Sequence, residues 1–359
     1  MMGAPQRVMP PTEPLYKKGD AIEDYKVLES IGQGAASFIY LVQDPRTKQI
    51  RALKHVHRET EKDDRFIEQA LYEAQVAAKL NHPNIRKIER VIKKTKRFVQ
   101  VTDAFLVMEY LDGPSMDTHP PRTFEEALVI FRQTAQGLAH MHERGFVHAD
   151  MKPHNVIVTR GPESAPGPVA KIIDLGQSCR VGTVKPRMQG TPDYIAPEQV
   201  HRRPITPKTD IYNLGATIYW TLTRQNVPTA LPKGDSLVSK LDDALIPRAK
   251  PAIEINPKIP AKLNELIMQC VEVDPDKRPD AMSFVADKLD LILGMLRAKA
   301  EEQKKHGSGA PLRKEGSGVG MIHNNGNGAP NGRDGKAGDP NDSTAVGVRV
   351  SNATRHDAD

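Results

Sequence analysis

Between residues 22 and 298 the hydrophobic pattern runs without a break and changes its period once. "YKVLESIG" (25–32), "SFIYLVQD" (37–44), "IRALKHV" (50–56) and "AFLVMEYL" (104–111) are short, rich in β-branched and aromatic residues, and separated by turn residues. They predict strands. One stretch among them, "DRFIEQALYEAQVAAKLN" (64–81), carries Phe66, Ile67, Ala70, Leu71, Ala74 and Ala78 at the spacing of a helix face. Further on, "FEEALVIFRQTAQGLAHMHERG", "DIYNLGATIYWTLT", "AKLNELIMQCVEV" and "MSFVADKLDLILGML" all follow the helical period. Such a chain predicts an α+β fold of two lobes. A small β-rich N-lobe (22–109) holds one helix, a larger α-helical C-lobe (110–298) follows, and the junction falls at "EYLDG", Glu109–Gly113.

The flanks have another composition. Residues 1–21 are rich in Pro and polar residues and read as a flexible leader. Residues 299–359 form a Gly/Asn-rich tail with hardly any apolar residues, which cannot bury enough surface to offset its ordering entropy and is expected to be disordered. A hydrophobic fraction of only 38 % in 359 residues fits either such tails or an unusually polar surface. The net charge of +6 suits an anionic ligand but is too small to imply nucleic acid, and none is expected. Two distant cysteines, Cys179 and Cys270, make no disulfide framework. There is no apolar run of membrane-spanning length. "MMGAPQRVMPPTEP" lacks a signal-peptide core, and its second residue is Met where myristoylation needs a glycine, so a cytoplasmic address is expected.

Three places carry chemistry. In "IGQGAASFI", Gly32 and Gly34 sit between two predicted strands, where backbone N–H groups approach phosphate oxygens without a Cβ in the way. Alone this fits an ordinary hairpin turn; a strand after it, not a helix, excludes a dinucleotide fold. Lys54 lies inside an apolar strand, which is costly unless it is paired; Glu68 and Glu73 on the following helix are both candidates. "FVHADMKPHNVIV" holds Asp150, Lys152 and Asn155 between apolar runs: a carboxylate to orient a hydroxyl and receive its proton, an ammonium to offset charge on a phosphoryl group, and an amide oxygen for a metal. Asp174, ending the apolar run "KIID", is a natural Mg2+ ligand.

In this order, these residues resemble the eukaryotic-like serine/threonine protein kinases, over about residues 22–298. Lys54 resembles the β3 lysine. Glu73, nine residues before His82, has the spacing of its helix partner, which decides against Glu68. "HADMKPHN" is similar to H-R-D-L-K-P-x-N, "DLG" to D-F-G and "GTPDYIAPE" to the end of the activation segment. Asp210 matches the aspartate that braces the catalytic loop, and Arg278 the arginine that pairs with Glu198. The phrases "TPDYIAPEQ" and "DIYNLGATIYWTLT" resemble bacterial members.

The resemblance implies a bilobal protein-kinase-like fold and transfer of the γ-phosphate of Mg-ATP to Ser/Thr hydroxyls of proteins, itself included. Asp150, Lys152, Lys54 and Glu73 would be catalytic. Ile31, Gly32, Gly34, Ile39, Ala52, Lys54, Met108, Glu109, Leu111 and Ile157 would hold ATP. Asn155 and Asp174 would hold Mg2+, with Mn2+ as an alternative. Two other readings keep the fold: a nucleotide-binding pseudokinase scaffold, disfavoured because the four key residues are present, and a small-molecule phosphotransferase, disfavoured by "APE" and Arg278.

Ala149 departs from the family by replacing the arginine of H-R-D, so activity is expected to depend less on phosphorylation of the activation segment, with Arg180, Lys185 and Arg187 as substitute cations. Leu175 for Phe and Ser37 for a third glycine are mild changes. The basic strip "IRKIERVIKKTKR" (85–97) reads as a solvated hairpin before an acidic-partner dock, and "RGPESAPGP" (160–168) as a surface loop. His55 and His57 show no ligand spacing with Cys or other His, so no structural zinc is expected.

Overall fold

The computed structural model describes residues 13–34, 36–96, 100–231, 243 and 246–307. The expected leader up to residue 12 and the tail from 308 lie outside the described residues. The N-lobe is one antiparallel sheet of six strands: β1 (Ala21–Ile22), β2 (Tyr25–Gly34), β3 (Ser37–Gln43), β4 (Ile50–His57), β5 (Ile88–Lys96) and β6 (Gln100–Glu109), in the order β1-β2-β3-β4-β6-β5. Side chains alternate across such a sheet, and two apolar clusters result. Phe38, Tyr40, Val42, Leu53, Phe105 and Val107 pack on one face. Ala52, Val56, Ala104, Leu106 and Met108 pack on the other, against helix α1 (Asp64–Ala77) through Ile67, Ala70 and Ala74. Helix α1 closes four residues before the end of its periodic pattern, in a tightened turn (Lys79 N–H to Val76 O, Leu80 N–H to Ala77 O) ahead of Pro83.

Two sequence boundaries move. The leader expected as flexible to residue 21 is tied down at its end: Tyr16 packs edge-on against Tyr40 (5.8 Å) and His55 (5.4 Å), and Gly19 N–H donates to Val27 O. The tail expected from residue 299 starts later, because the last helix runs to Gly307. Its Lys/Glu-rich end favours helix whether or not a core lies beneath it. Within the basic strip, residues 88–96 form the edge strand β5, largely exposed as the bland reading expects.

The C-lobe contains α2 (Phe124–Glu143), β7 (Phe146–Val147), β8 (Val156–Arg160), β9 (Pro168–Ile172), β10 (Cys179–Arg180), α3 (Pro197–Val200), α4 (Pro207–Thr223), α5 (Ala252–Ile255), α6 (Ala261–Cys270) and α7 (Met282–Gly307). Helix α2 starts at an N-cap, Thr123, whose hydroxyl accepts from Glu126 N–H. Helix α4 is buried nearly all round, so apolar or small residues lie on every face and its buried polar side chains, Asp210 and Asn213, are hydrogen-bonded. The 160–168 segment is the connection of the β8–β9 hairpin.

Both ends of the link between lobes are held. At one end, Glu109 receives Lys171 Nζ from β9 at 2.8 Å and 3.0 Å. At the other, Gly113 lies so close to β8 that a Cβ there would stand 2.2 Å from the Val158 carbonyl oxygen, and only glycine fits.

Candidate active site

Strand β4 places Lys54 on the same sheet face as α1. There its ammonium meets Glu73 Oε2 at 2.7 Å and Asp174 Oδ1 at 3.8 Å. Glu73, not Glu68, is the partner, and it is 1 % exposed. Burial works against the charge on Lys54, but Glu73 and Asp174 outweigh it and hold its pKa above the ordinary lysine value. Burial also opposes the Asp174 anion. Lys54 and the Gly176 N–H outweigh it, so Asp174 sits below the usual carboxylate range.

The segment between β7 and β8 brings the other groups in. Asp150 accepts from Lys152 Nζ (3.0 Å) and Thr191 Oγ1 (2.8 Å), and Lys152 Nζ also reaches Thr191 Oγ1 at 2.8 Å. Asn155 Nδ2 donates to the Asp150 carbonyl at 2.7 Å, and the Asn155 carbonyl accepts from Ile173 N–H at 2.9 Å, which sets Asp174 beside it. The free oxygen of that amide, Asn155 Oδ1, is buried without a partner. With the Asp174 carboxylate it supplies the hard oxygen donors that Mg2+ prefers, so these residues fit the metal.

Of the residues expected to hold nucleotide, Ala52 pairs with Met108, Ile39 with Lys54 and Gly32 with Ile39 in the sheet register. Ile31 is 43 % exposed on β2, whereas Met108 is fully buried in the α1-facing cluster. Glu109 ends β6, Leu111 lies in the link between lobes, and Ile157 is on β8.

The site is braced from below. Asp210 on α4 accepts from His148 N–H and Ala149 N–H, both at 2.8 Å, and from His142 Nε2 at 2.7 Å. Burial alone would raise its pKa; the His142 hydrogen bond leads the influences that lower it instead. Glu198 and Arg278 form a buried two-pronged pair (2.7 Å and 3.0 Å), with Thr209 Oγ1 donating to the same carboxylate.

Residues 25–289 match the family model described as protein kinase domain. The chain belongs to the protein kinase family. Among its relatives, this kinase is 29 % identical over 262 residues to serine/threonine-protein kinase PrkC of Bacillus subtilis, covering 71 % of this chain and 38 % of that one. It is 28 % identical over 277 residues to a probable serine/threonine-protein kinase of Clostridium acetobutylicum (75 % and 40 %). Serine/threonine-protein kinase PknD of Chlamydia pneumoniae is 27 % identical over 301 residues (75 % and 31 %). The chain thus spans less than half the length of each of these relatives.

Two residues of the kinase escape the sequence reading. Arg86 belongs to the strip that reads as solvated, yet it is half-buried: burial lowers its pKa, against the pull of Glu73, Asp174 and Glu109 nearby. Gln199 is 4 % exposed and uses its whole amide: Nε2 donates to Ala149 O (2.7 Å) and Gln189 O (3.2 Å), and Oε1 accepts from Ala196 N–H and Asn213 Nδ2, both at 3.0 Å. No spacing signals it, because only Ala196 is close in sequence; its other partners are 10 and 50 residues upstream and 14 downstream.

Gln199 bears on the missing arginine. Ala149 has φ +60, a conformation costly for a residue with a side chain. Asp210 grips its N–H and Gln199 its carbonyl. Its methyl is enclosed with Val147, Cys179 and Ile205. Two of the three substitute cations have other work: Arg180 stacks on Phe146 at 4.2 Å, and Lys185 Nζ donates to Gln177 O at 2.8 Å. Cys179 and Cys270 are free and buried; burial pushes both thiols up and away from reactivity. Gln199→Ala should cost about 1–3 kcal/mol of stability by orphaning buried polar groups, read by denaturant unfolding, and should lower kcat more than it raises KM for ATP.

Proposed function

We propose that this chain is a serine/threonine protein kinase, of bacterial type, that transfers the γ-phosphate of ATP to protein hydroxyls and to itself, with Mg2+ or alternatively Mn2+. The observation that carries the reading is the chain of contacts running from Glu73 through Lys54 to Asp174, whose neighbour Ile173 donates to the Asn155 carbonyl, and from Asn155 on to Asp150. The names of the relatives support it. The proposed kinase domain takes in residues 22–298, with lobes 22–109 and 110–298, and its last helix continues to Gly307. Among the described residues no helix is long and apolar enough to cross a membrane, and we place the activity in the cytoplasm.

Each residue has one task. The Gly32–Gly34 turn lies over the phosphates, and Lys54, held by Glu73, points its charge at them. Asn155 and Asp174 would hold Mg2+, which when bound offsets charge on the phosphate oxygens. Asp150 orients the incoming hydroxyl and takes its proton. Lys152, one hydrogen bond from Asp150, faces the charge that develops on the transferring group. Thr191 bridges both and is displaced or shared when the substrate hydroxyl arrives. Positioning and fixed charge lower the barrier.

Labelled ATP with a generic basic protein substrate tests this. Label is expected on serine or threonine of the substrate and of the chain. Mg-ATP binding with no transfer would point to the scaffold reading, and label only on small metabolites to the phosphotransferase reading. Because the catalytic loop is gripped by Asp210 and Gln199 without any phosphate, treatment with phosphatase should leave kcat within about threefold, less than one charge-assisted hydrogen bond contributes. A loss of a hundredfold would overturn that expectation.

A further inference from the structure

The sheet face opposite Lys54 carries a second cluster of ligating groups. His55 and His57 are two residues apart on β4, so both project from that face. Asp103 on β6 stands directly opposite His57 in the register. Its Oδ1 lies 2.8 Å from His55 Nε2 and 2.7 Å from His57 Nδ1, and the three ligand atoms all fall within 4.8 Å of one another.

We propose that His55, His57 and Asp103 bind one first-row transition-metal ion, with Zn2+ the reference case. Two imidazole nitrogens and one carboxylate oxygen are the donor types Zn2+ takes, and two nitrogens in three select against the Mg2+ that accompanies ATP. The groups are oriented in advance. The His55 ring stacks flat on Phe105 (4.3 Å, 8°) with Tyr16 edge-on above it, and Asp103 Oδ2 accepts from Thr102 Oγ1 at 2.9 Å. Such outer partners fix ligand orientation. His57 is 32 % exposed, so the fourth position opens to solvent and takes water. Tetrahedral ligands about 2.0–2.1 Å from Zn2+ stand roughly 3.3 Å apart, so Asp103 must retreat by about half an ångström when the metal enters. Lys94, whose ammonium lies 5.3 Å over the Phe105 ring, repels the ion and sets a limit on affinity. His55 Nδ1 is buried and unpartnered, and a metal on Nε2 leaves it so. Sequence spacing hides the site because the third ligand follows His57 by 46 residues.

The test is Zn2+ alone, titrated into the full chain, with Co2+ as a spectroscopic stand-in. Wild type is expected to bind one Zn2+ per chain, to show the visible ligand-field bands of a four-coordinate Co2+ site, and to gain Tm as free Zn2+ rises. His57→Gln, at a partly exposed position, and the isosteric Asp103→Asn should each weaken binding by roughly a hundredfold, since even an outer partner costs ten- to a hundredfold. Asp174→Asn, on the opposite side of the sheet, should bind as wild type does, which separates this site from the cleft. Zn2+ binding no tighter in wild type than in His57→Gln would overturn the proposal and leave a hydrogen-bonded His–Asp–His triad.

Discussion

Asp150→Asn should lower kcat for peptide phosphorylation by about a hundred- to ten-thousandfold, the range of a positioned general base, while KM for ATP changes little. The geometry argues for that split. Asp150 touches Lys152, Thr191 and, through its backbone, Asn155, but not Lys54 or Glu73. The amide keeps the shape of the carboxylate and can still accept one hydrogen bond, so the loop stays in place and the residues expected to hold nucleotide keep their positions. Lys54→Met is expected to fall as far by another route, since it leaves Glu73 buried and unpaired and removes the cation 3.8 Å from Asp174. Steady-state kinetics with ATP varied at saturating peptide separates the two. Equal losses in kcat/KM with an unchanged kcat for Asp150→Asn would contradict the role given to it.

Glu198→Leu should destabilise the protein by about 3–5 kcal/mol, the cost of leaving one buried charge without its partner. The effect is large because Arg278 is fully buried, at 0 % side-chain exposure, and sits over Tyr212 at 4.9 Å with three backbone carbonyls as its remaining acceptors. Those carbonyls cannot neutralise it. Arg278→Met should cost a similar amount by stranding Glu198. The pair Glu198→Leu with Arg278→Met should recover much of the loss, because a buried ion pair can be replaced by apolar groups of similar volume at little net cost. Chemical unfolding of all four proteins closes this cycle. Simple addition of the two single losses would show that the pair does not act as a unit.

How much can be read from the sequence depends on where the partners lie. The catalytic segment is contiguous, so Asp150, Lys152 and Asn155 carry their own signal, and the period change at the lobe junction gives the two-lobe fold directly. The strand β6 begins four residues earlier than its apolar run suggests, because Gln100–Asp103 pair with β5 and β4 with no need of an apolar pattern. Glu73 needs the family spacing, since Glu68 lies on the same helix and only folding shows which one faces Lys54. Gln199, Arg86 and Asp103 give no linear signal: each acts through residues brought near by the sheet or by the turn after the activation segment. The tail boundary is misplaced because low hydrophobicity marks an absent core, whereas the end of α7 is held by helix propensity and by continuity with a packed stem.

The clamps on the interlobe link have a kinematic consequence. With Glu109 fastened to β9 and Gly113 pressed against β8, rotation is confined to Tyr110, Leu111 and Asp112. Three residues between fixed points leave the link little slack, and the backbone hydrogen bonds of Asn84 and Arg86 with Ile172 (2.8 Å and 2.9 Å) tie the N-lobe to β9 at a second place, so sliding between the lobes is resisted. Cutting the Glu109–Lys171 fastening would release the upper end of the link and loosen the spacing between the lobes across which nucleotide is held.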